Sequence, residues 1–428
     1  MATTLESVFL IFGGIILIGY LGELVSRRFS LPSALILLLI GFALKASGYA
    51  DASALSGIQD IFGTLALVVL LFDGGLSLNL RSVIFKSGRV VLVGALTTFL
   101  AIIGCYLYFG YFLGVNPLIG AIFGALAGGI GSATTISIVR SLSLPKEIGD
   151  FLTMESSITD VFSIILTIVF TGALISGSLD LQFLGQSVMS RFSVGVMLGA
   201  LFGLLSLAIL SRIEKGYNYV VTFALMLMIY AFIELLGGSG AIGVLIFGIV
   251  FGNETEIRRV LNMGNGERNF TSRGVQAEIS FFIRTFFLVF LGVVVNLGSV
   301  TNLLLAVGLM ALLYVIRYAA IRVSLSGSAQ GVYSGILTAM NPRGLATAVL
   351  ATYPVIAVQN ALAASGDARL SSVLSQLSSL PEITFYIIVL SVLLTSVLVP
   401  IMAAKHMGGE NGEKKKNNGG KQRKPTSS

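Results

Sequence analysis

Long apolar runs alternate with short polar connections along most of the chain, and the runs exceed the length of barrel strands. Thirteen runs stand out, at about 8–25, 34–50, 58–76, 90–113, 118–139, 148–175, 194–210, 219–236, 241–252, 279–295, 303–321, 332–358 and 383–403. At about 1.5 Å of rise per residue, most of them can cross a bilayer as helices. The ninth is short and glycine-rich. The first has no basic leader and no small-residue cleavage site, so it reads as a retained helix. The predicted fold class is an all-α polytopic membrane protein with about 13 transmembrane helices.

Two of the runs should not be continuous helices. The fifth holds Gly128-Gly129-Ile130-Gly131-Ser132-Ala133-Thr134-Thr135, and the twelfth holds Thr338-Ala339-Met340-Asn341-Pro342-Arg343-Gly344. In a helix interior glycine costs up to about 1 kcal/mol and proline about 3. Such breaks are tolerated within a membrane where the freed backbone groups line a cavity. The odd offset between the two runs predicts two inverted six-helix repeats, about 1–176 and 217–404, with the seventh run as the link. Broken helices 5 and 12 should then cross near the midplane. Close helix packing is another use for the glycines, but it does not account for Asn341-Pro342-Arg343 inside a span.

Composition agrees with the pattern. Of 428 residues, 55% are hydrophobic and 11% charged, with a mean hydropathy of +0.94; a soluble domain carries about 25% charged residues. The single cysteine, Cys105, excludes a disulfide framework, and the single histidine, His406, falls after the last apolar run. No nucleotide-binding glycine motif lies in a soluble segment, and no histidine or serine–lysine constellation lies in the runs. The expectation is a protein that is not an enzyme and uses no cofactor.

Basic residues fix the orientation. Connections after odd runs carry Arg27 and Arg28; Arg81, Lys86 and Arg89; Arg140 and Lys146; Arg212 and Lys215; Arg258, Arg259, Arg268 and Arg273; and Arg322. Those after even runs carry only Lys45, Arg191 and Arg369. The positive-inside rule then places the amino terminus outside and the carboxyl terminus in the cytoplasm, in a multi-pass cell-membrane protein. A membrane domain of 1–407 is followed by 408–428, which reads as a disordered basic tail with Lys414-Lys415-Lys416, Lys421, Arg423 and Lys424. Contact with anionic lipid and simple solvation both suit such a tail.

The candidate chemistry lies in the sixth run. Glu155 and Asp160 sit within it, and an ionisable group at such depth costs roughly 2.5–3.5 kcal/mol even on mild insertion scales. Ser156 and Asp160 are four apart and share a helix face. A hydroxyl beside a carboxylate makes a polar nest for a bare monovalent cation or a proton. The alternative is that both acids only tie neighbouring helices together through buried pairs. Glu234 and Glu278 fall near span ends and read as interfacial. Arg317 reads as a side chain that snorkels to the cytoplasmic surface.

Several motifs together resemble one family. Leu71-Phe72-Asp73-Gly74-Gly75-Leu76, Ala133-Thr134-Thr135, Glu155-Ser156-Ser157-Ile158-Thr159-Asp160, the stretch 281–292 around Arg284, and Pro342-Arg343-Gly344 resemble the monovalent cation:proton antiporters, nearest the NhaP-type sodium/proton exchangers. The resemblance implies a thirteen-helix fold with a core bundle and dimerisation helices, a homodimer, and alternating access. It implies that Asp160 binds cation and proton in turn, that Ser156 and Thr134 give neutral oxygens to the ion, and that Asp73 and Thr159 belong to the ion-binding set. It further implies a buried Glu155–Arg343 ion bridge beside the site and a basic partner in Arg284. Two positions depart from the family pattern: Thr159 stands where asparagine or aspartate is usual, and Thr135-Ile136 where Asp-Pro is usual.

The expected function is a secondary antiporter exchanging Na+, or another monovalent cation such as Li+ or K+, for H+. With Thr159 unable to titrate, one carboxylate carries the proton and exchange should be electroneutral, one for one. The expected partners are the cation, the proton, the lipid membrane and a second copy of the chain, with no nucleic acid. A channel or uniporter would keep the polar nest but needs a continuous pore. An organic-anion transporter would favour a basic residue at the centre over Asp160.

Overall fold

The computed structural model describes residues 13–22, 24–25, 33–48, 52–78, 88–141, 144–177, 181–210, 218–260, 273–295 and 298–419. The start of the first run at 8–12, together with Arg27, Arg28, Arg81, Lys86, Arg212, Lys215 and Arg268, lies outside the described residues. Among the described residues the chain is helical, with no strand. In order come α1 (Gly13–Gly22), α2 (Ser33–Ala46), α3 (Ala52–Ser77) and α4 (Gly88–Leu107), the last closed by a π-helical turn at Tyr108–Phe112. Then follow α5 (Pro117–Gly128), α6 (Ser132–Ser141), α7 (Lys146–Ser176), α8 (Leu181–Leu210), α9 (Asn218–Leu235), α10 (Gly240–Gly252) and α11 (Glu254–Val260). The chain continues with α12 (Arg273–Val294), α13 (Val300–Ser324), α14 (Ser334–Ala339), α15 (Leu345–Ser365), α16 (Ala368–Leu377) and α17 (Leu380–Gly419).

Six of these stretches are long and apolar enough to cross a membrane, and α10 with α11 passes as a pair bent by 76°. Shorter apolar helical stretches lie at Gly13–Gly22, Leu35–Ala46, Ile61–Ser77, Pro117–Gly128 and Val220–Leu235, within α1, α2, α3, α5 and α9. The apolar runs and the helices agree except at a few ends. α8 starts earlier than its run, at Leu181, and α16 forms in a connection that holds no run. The backbone of α17 stays helical to Gly419, so the segment read as disordered begins as a continuation of the last helix.

Small residues let the helices approach closely, as membrane packing requires. A β-carbon on Gly124 of α5 would fall 2.5 Å from the Ala101 carbonyl oxygen of α4, so the α4–α5 contact needs glycine there. Caps set the element ends. Asn116 accepts the Leu118 N–H through its side chain, with Pro117 at the first helical position. α7 stops at Gly177, whose φ of 69° is left-handed and whose N–H reaches the Ala173 carbonyl.

Long-range bonds sort the helix ends into two groups. At one end the Arg369 guanidinium holds the Ile175 carbonyl at the finish of α7. At this same end the Glu382 carboxylate of α17 accepts from Ser299 N–H (3.3 Å) and the Asn302 amide (2.6 Å) at the start of α13. Lys45 bonds the Val295 carbonyl just past α12, at 3.0 Å. The described basic side chains Lys45, Arg191 and Arg369 belong to this end. Lys146, Arg258, Arg259 and Arg322 lie at the other, because each sits at the opposite terminus of its helix or helix pair.

Candidate functional site

The fifth and twelfth runs are broken where their glycines and proline fall, and the two breaks meet. α5 ends at Gly128 and α6 starts at Ser132, while α14 ends at Ala339 and α15 starts at Leu345. Gly131 N–H donates to the Pro342 carbonyl at 2.9 Å, so one break supplies a partner to the other. A β-carbon on Gly131 would lie 2.9 Å from Gly344 N and 3.2 Å from its Cα. Only glycine allows this backbone contact.

α7 passes beside the crossing and presents the site face. Asp160 is half-buried, and its carboxylate takes hydrogen bonds from the Ser132 side chain and main-chain N–H. Ser132 is the first residue of α6, so the carboxylate also faces that helix's positive terminus. Ser132 is absent from the sequence-derived set. Its position just after Gly131, where a new helix must begin, is the signal that could have found it.

The remaining α7 residues divide their work. Ser156 is fully buried and donates its proton to the Thr153 carbonyl at 3.0 Å, which leaves oxygen lone pairs available. The Thr159 hydroxyl donates to the Ser156 carbonyl and accepts from Ile130 N–H, both at 3.2 Å. Ile130 lies inside the first break, so Thr159 satisfies a backbone donor that the break sets free. Thr134 is buried on α6, with its hydroxyl oxygen 3.3 Å from where a Gly344 β-carbon would stand. Thr134 therefore adjoins the second break.

The ion pair beside the site differs from the expected one. Glu155 is fully buried and binds Arg317, not Arg343, through Nη1–Oε1 at 2.7 Å and Nη2–Oε2 at 3.2 Å. Arg317 Nε donates to the Leu337 carbonyl at 2.9 Å. Leu337 lies in the last turn of α14, where the break removes the usual intrahelical donor. Arg317 is thus 0% exposed and does not snorkel. It ties α13 to α7 and to the end of a broken helix. Arg343 is equally buried but turns back on its own loop, donating to the Asn341 carbonyl (3.3 Å) and side-chain oxygen (2.9 Å). Its main-chain N–H reaches the Ser391 hydroxyl at 2.9 Å. Among the described residues Arg343 Nε and Asn341 Nδ2 have no partner.

Asp73 and Arg284, from α3 and α12, line one small cavity of about 20 Å³ together with Leu345, the first residue after the second break. Ser280, which sequence reasoning missed, lines it as well, and its buried hydroxyl has no partner among the described residues. A carboxylate and a guanidinium far apart in sequence are thereby brought to the crossing.

The site therefore gathers a carboxylate at a helix terminus, neutral hydroxyls, two crossed backbone breaks and a neighbouring buried ion pair. The chain matches the K(+)/H(+) antiporter NhaP2 of Shewanella sp. (strain ANA-3) with 28% identity over 286 residues, covering 62% of this chain and 47% of that protein. It matches the probable Na(+)/H(+) antiporter 2 of Methanocaldococcus jannaschii with 25% identity over 290 residues, covering 64% and 66%. The chain thus spans about half the length of the NhaP2 relatives it matches. Among solved structures, the sodium proton antiporter MjNhaP1 of Methanocaldococcus jannaschii superposes with a TM-score of 0.73 at 22% identity, over 94% of this chain and all of that one. The profile of the family described as sodium/hydrogen exchanger, transmembrane, covers residues 13–404, and the chain belongs to that family.

Proposed function

We propose that this chain is a secondary antiporter that exchanges a monovalent cation for protons by alternating access, one for one and without net charge movement. The observation that carries the reading is Asp160, a carboxylate held at the meeting point of two broken helices. A half-buried carboxylate within a span, with no ion-pair partner among the described residues, binds either a metal cation or a proton. The two ligands exclude each other there, and this competition couples their fluxes. Ser156, Thr134 and Asp73 complete the oxygen set for a hard cation such as Na+. Thr159, the last member of the expected set, works mainly as a brace for the first break. The relatives are named for K+ and for Na+, so the substrate is a monovalent alkali cation.

In this reading thirteen spans form two inverted repeats, about 1–176 and 217–404. A core bundle with the broken helices moves against the dimerisation helices of a homodimer in the cell membrane. The amino terminus is outside, because the described ends rich in Arg and Lys belong on the cytoplasmic face. The test is exchange in proteoliposomes, following internal pH with a dye while Na+, K+ or Li+ is added outside. Asp160→Asn should abolish cation-driven proton flux and leave the protein folded, as judged by its elution and melting. Flux retained in that variant would overturn the reading. Current carried by the cation with no proton movement would point to a channel instead.

A further inference from the structure

A second cavity, of about 270 Å³, lies at the end of the bundle that holds Arg191 and Arg369, away from Asp160. One wall is formed by α15, which follows the second break, and by α7, which passes beside the crossing, and the other by α3, α8, α9 and α10. Its lower part reaches the buried apolar side chains of Leu67, Ile168 and Val349. Ile168 is eight residues past Asp160 on α7, about 12 Å along the axis. Above that layer the lining turns polar, with Thr171, Thr352, Tyr353 and Asn360. The volume suits a hydrated cation, at about 30 Å³ per water molecule.

The charges in this cavity are Glu234 and Arg191. One carboxylate oxygen of Glu234 accepts Gly240 N–H at 2.8 Å. The other stands 3.6 Å from Arg191 Nη2, beyond hydrogen-bond distance, with the two side chains 37% and 58% exposed. Arg191 in turn accepts Ser239 N–H on its main-chain carbonyl at 3.0 Å. Glu234 is therefore anchored by one oxygen and presents the other to the cavity, under the partial opposition of an exposed guanidinium. A carboxylate beside low-dielectric walls concentrates cations at that spot, and a guanidinium beside it weakens the effect.

We propose that this cavity is the vestibule through which hydrated monovalent cations approach Asp160 from the side poor in basic residues. Glu234 is its recruiting carboxylate, and Arg191 is the positioning residue that limits its pull. The inference rests on the exchange activity proposed above. It goes further in assigning a second cation site and a sidedness to that activity. Glu234→Gln keeps an oxygen for Gly240 N–H but removes the negative charge, and Arg191→Gln removes the opposing positive charge.

The experiment measures exchange with the cation gradient applied from each face of oriented vesicles. Glu234→Gln should raise the apparent KM for the cation about threefold to tenfold from the vestibule side only. Arg191→Gln should lower it from the same side. Equal changes from both faces, or none, would overturn the proposal, whereas wild-type vesicles without exchange would instead overturn the antiporter reading. A measurement independent of transport uses Asn360→Cys, since the native Cys105 is buried and its parent protein serves as the control. A membrane-impermeant cationic thiol reagent should label it faster than an anionic one of similar size, and Glu234→Gln should remove that preference. Equal labelling by both reagents with Glu234 intact would also overturn the proposal.

Discussion

Glu155 of α7 and Arg317 of α13 are 162 positions apart in sequence, yet their side chains form a two-bonded ion pair with both groups fully buried. Removing one partner strands a buried charge and costs roughly 3–5 kcal/mol, whereas removing both need not. Glu155→Ala and Arg317→Ala should each lower the melting temperature strongly, and the double variant should lose clearly less than their sum. A matching cycle between Glu155 and Arg343 should show much weaker coupling. Thermal unfolding of the purified protein checks this, and a larger coupling to Arg343 would contradict the geometry.

Thr159 is expected to matter through its hydroxyl rather than its charge. Thr159→Val keeps the shape but leaves the Ile130 N–H without its acceptor, a loss of about 1–3 kcal/mol for a buried donor. Thr159→Ser retains the oxygen and should stay within about 1 kcal/mol of the parent. Melting curves of the two variants give the comparison. Equal stability of valine and serine would remove the bracing role.

At Gly131 the constraint is backbone contact. Gly131→Ala places a methyl group 2.9 Å from Gly344 N, where neither chain segment has a flexible end to move aside. Overpacking of this kind costs about 1–3 kcal/mol, and here it also pushes the two breaks apart. The variant should fold with reduced stability and lose most of its exchange rate. Wild-type exchange would show that the breaks need not touch.

Competition at Asp160, with the non-titrating Thr159 in the position before it, sets the last expectation. Lowering the pH on the cation side should raise the apparent KM, approaching about tenfold per pH unit once protons dominate the site. The maximal rate at saturating cation should hold. Membrane potentials of either sign, imposed with valinomycin and potassium where potassium is not itself a substrate, should leave the rate and endpoint of exchange unchanged. A voltage-dependent endpoint would mean that a second proton is carried.

The class of the protein and its helix breaks were legible in the chain because each follows from local composition. An apolar run long enough to span a bilayer is a helix whatever surrounds it. Gly128–Gly131 and Asn341-Pro342-Arg343 interrupt a helix by their own backbone preferences, so both interruptions appear where the residues put them. The alternation of basic connections likewise marks the two ends without reference to packing. Partner choice is another matter. The family resemblance paired Glu155 with Arg343, and Arg317 read as a side chain bound for the surface; the rotation of α13 and the turn of the 340–344 loop bring Arg317 to Glu155 instead. The same holds for Ser132 at Asp160, for Asp73 and Arg284 around one cavity, and for Glu234 facing Arg191. Each of these pairs joins different helices, so its existence depends on relative depth and rotation. Those are set by side-chain packing over the whole bundle, which no local stretch of sequence encodes.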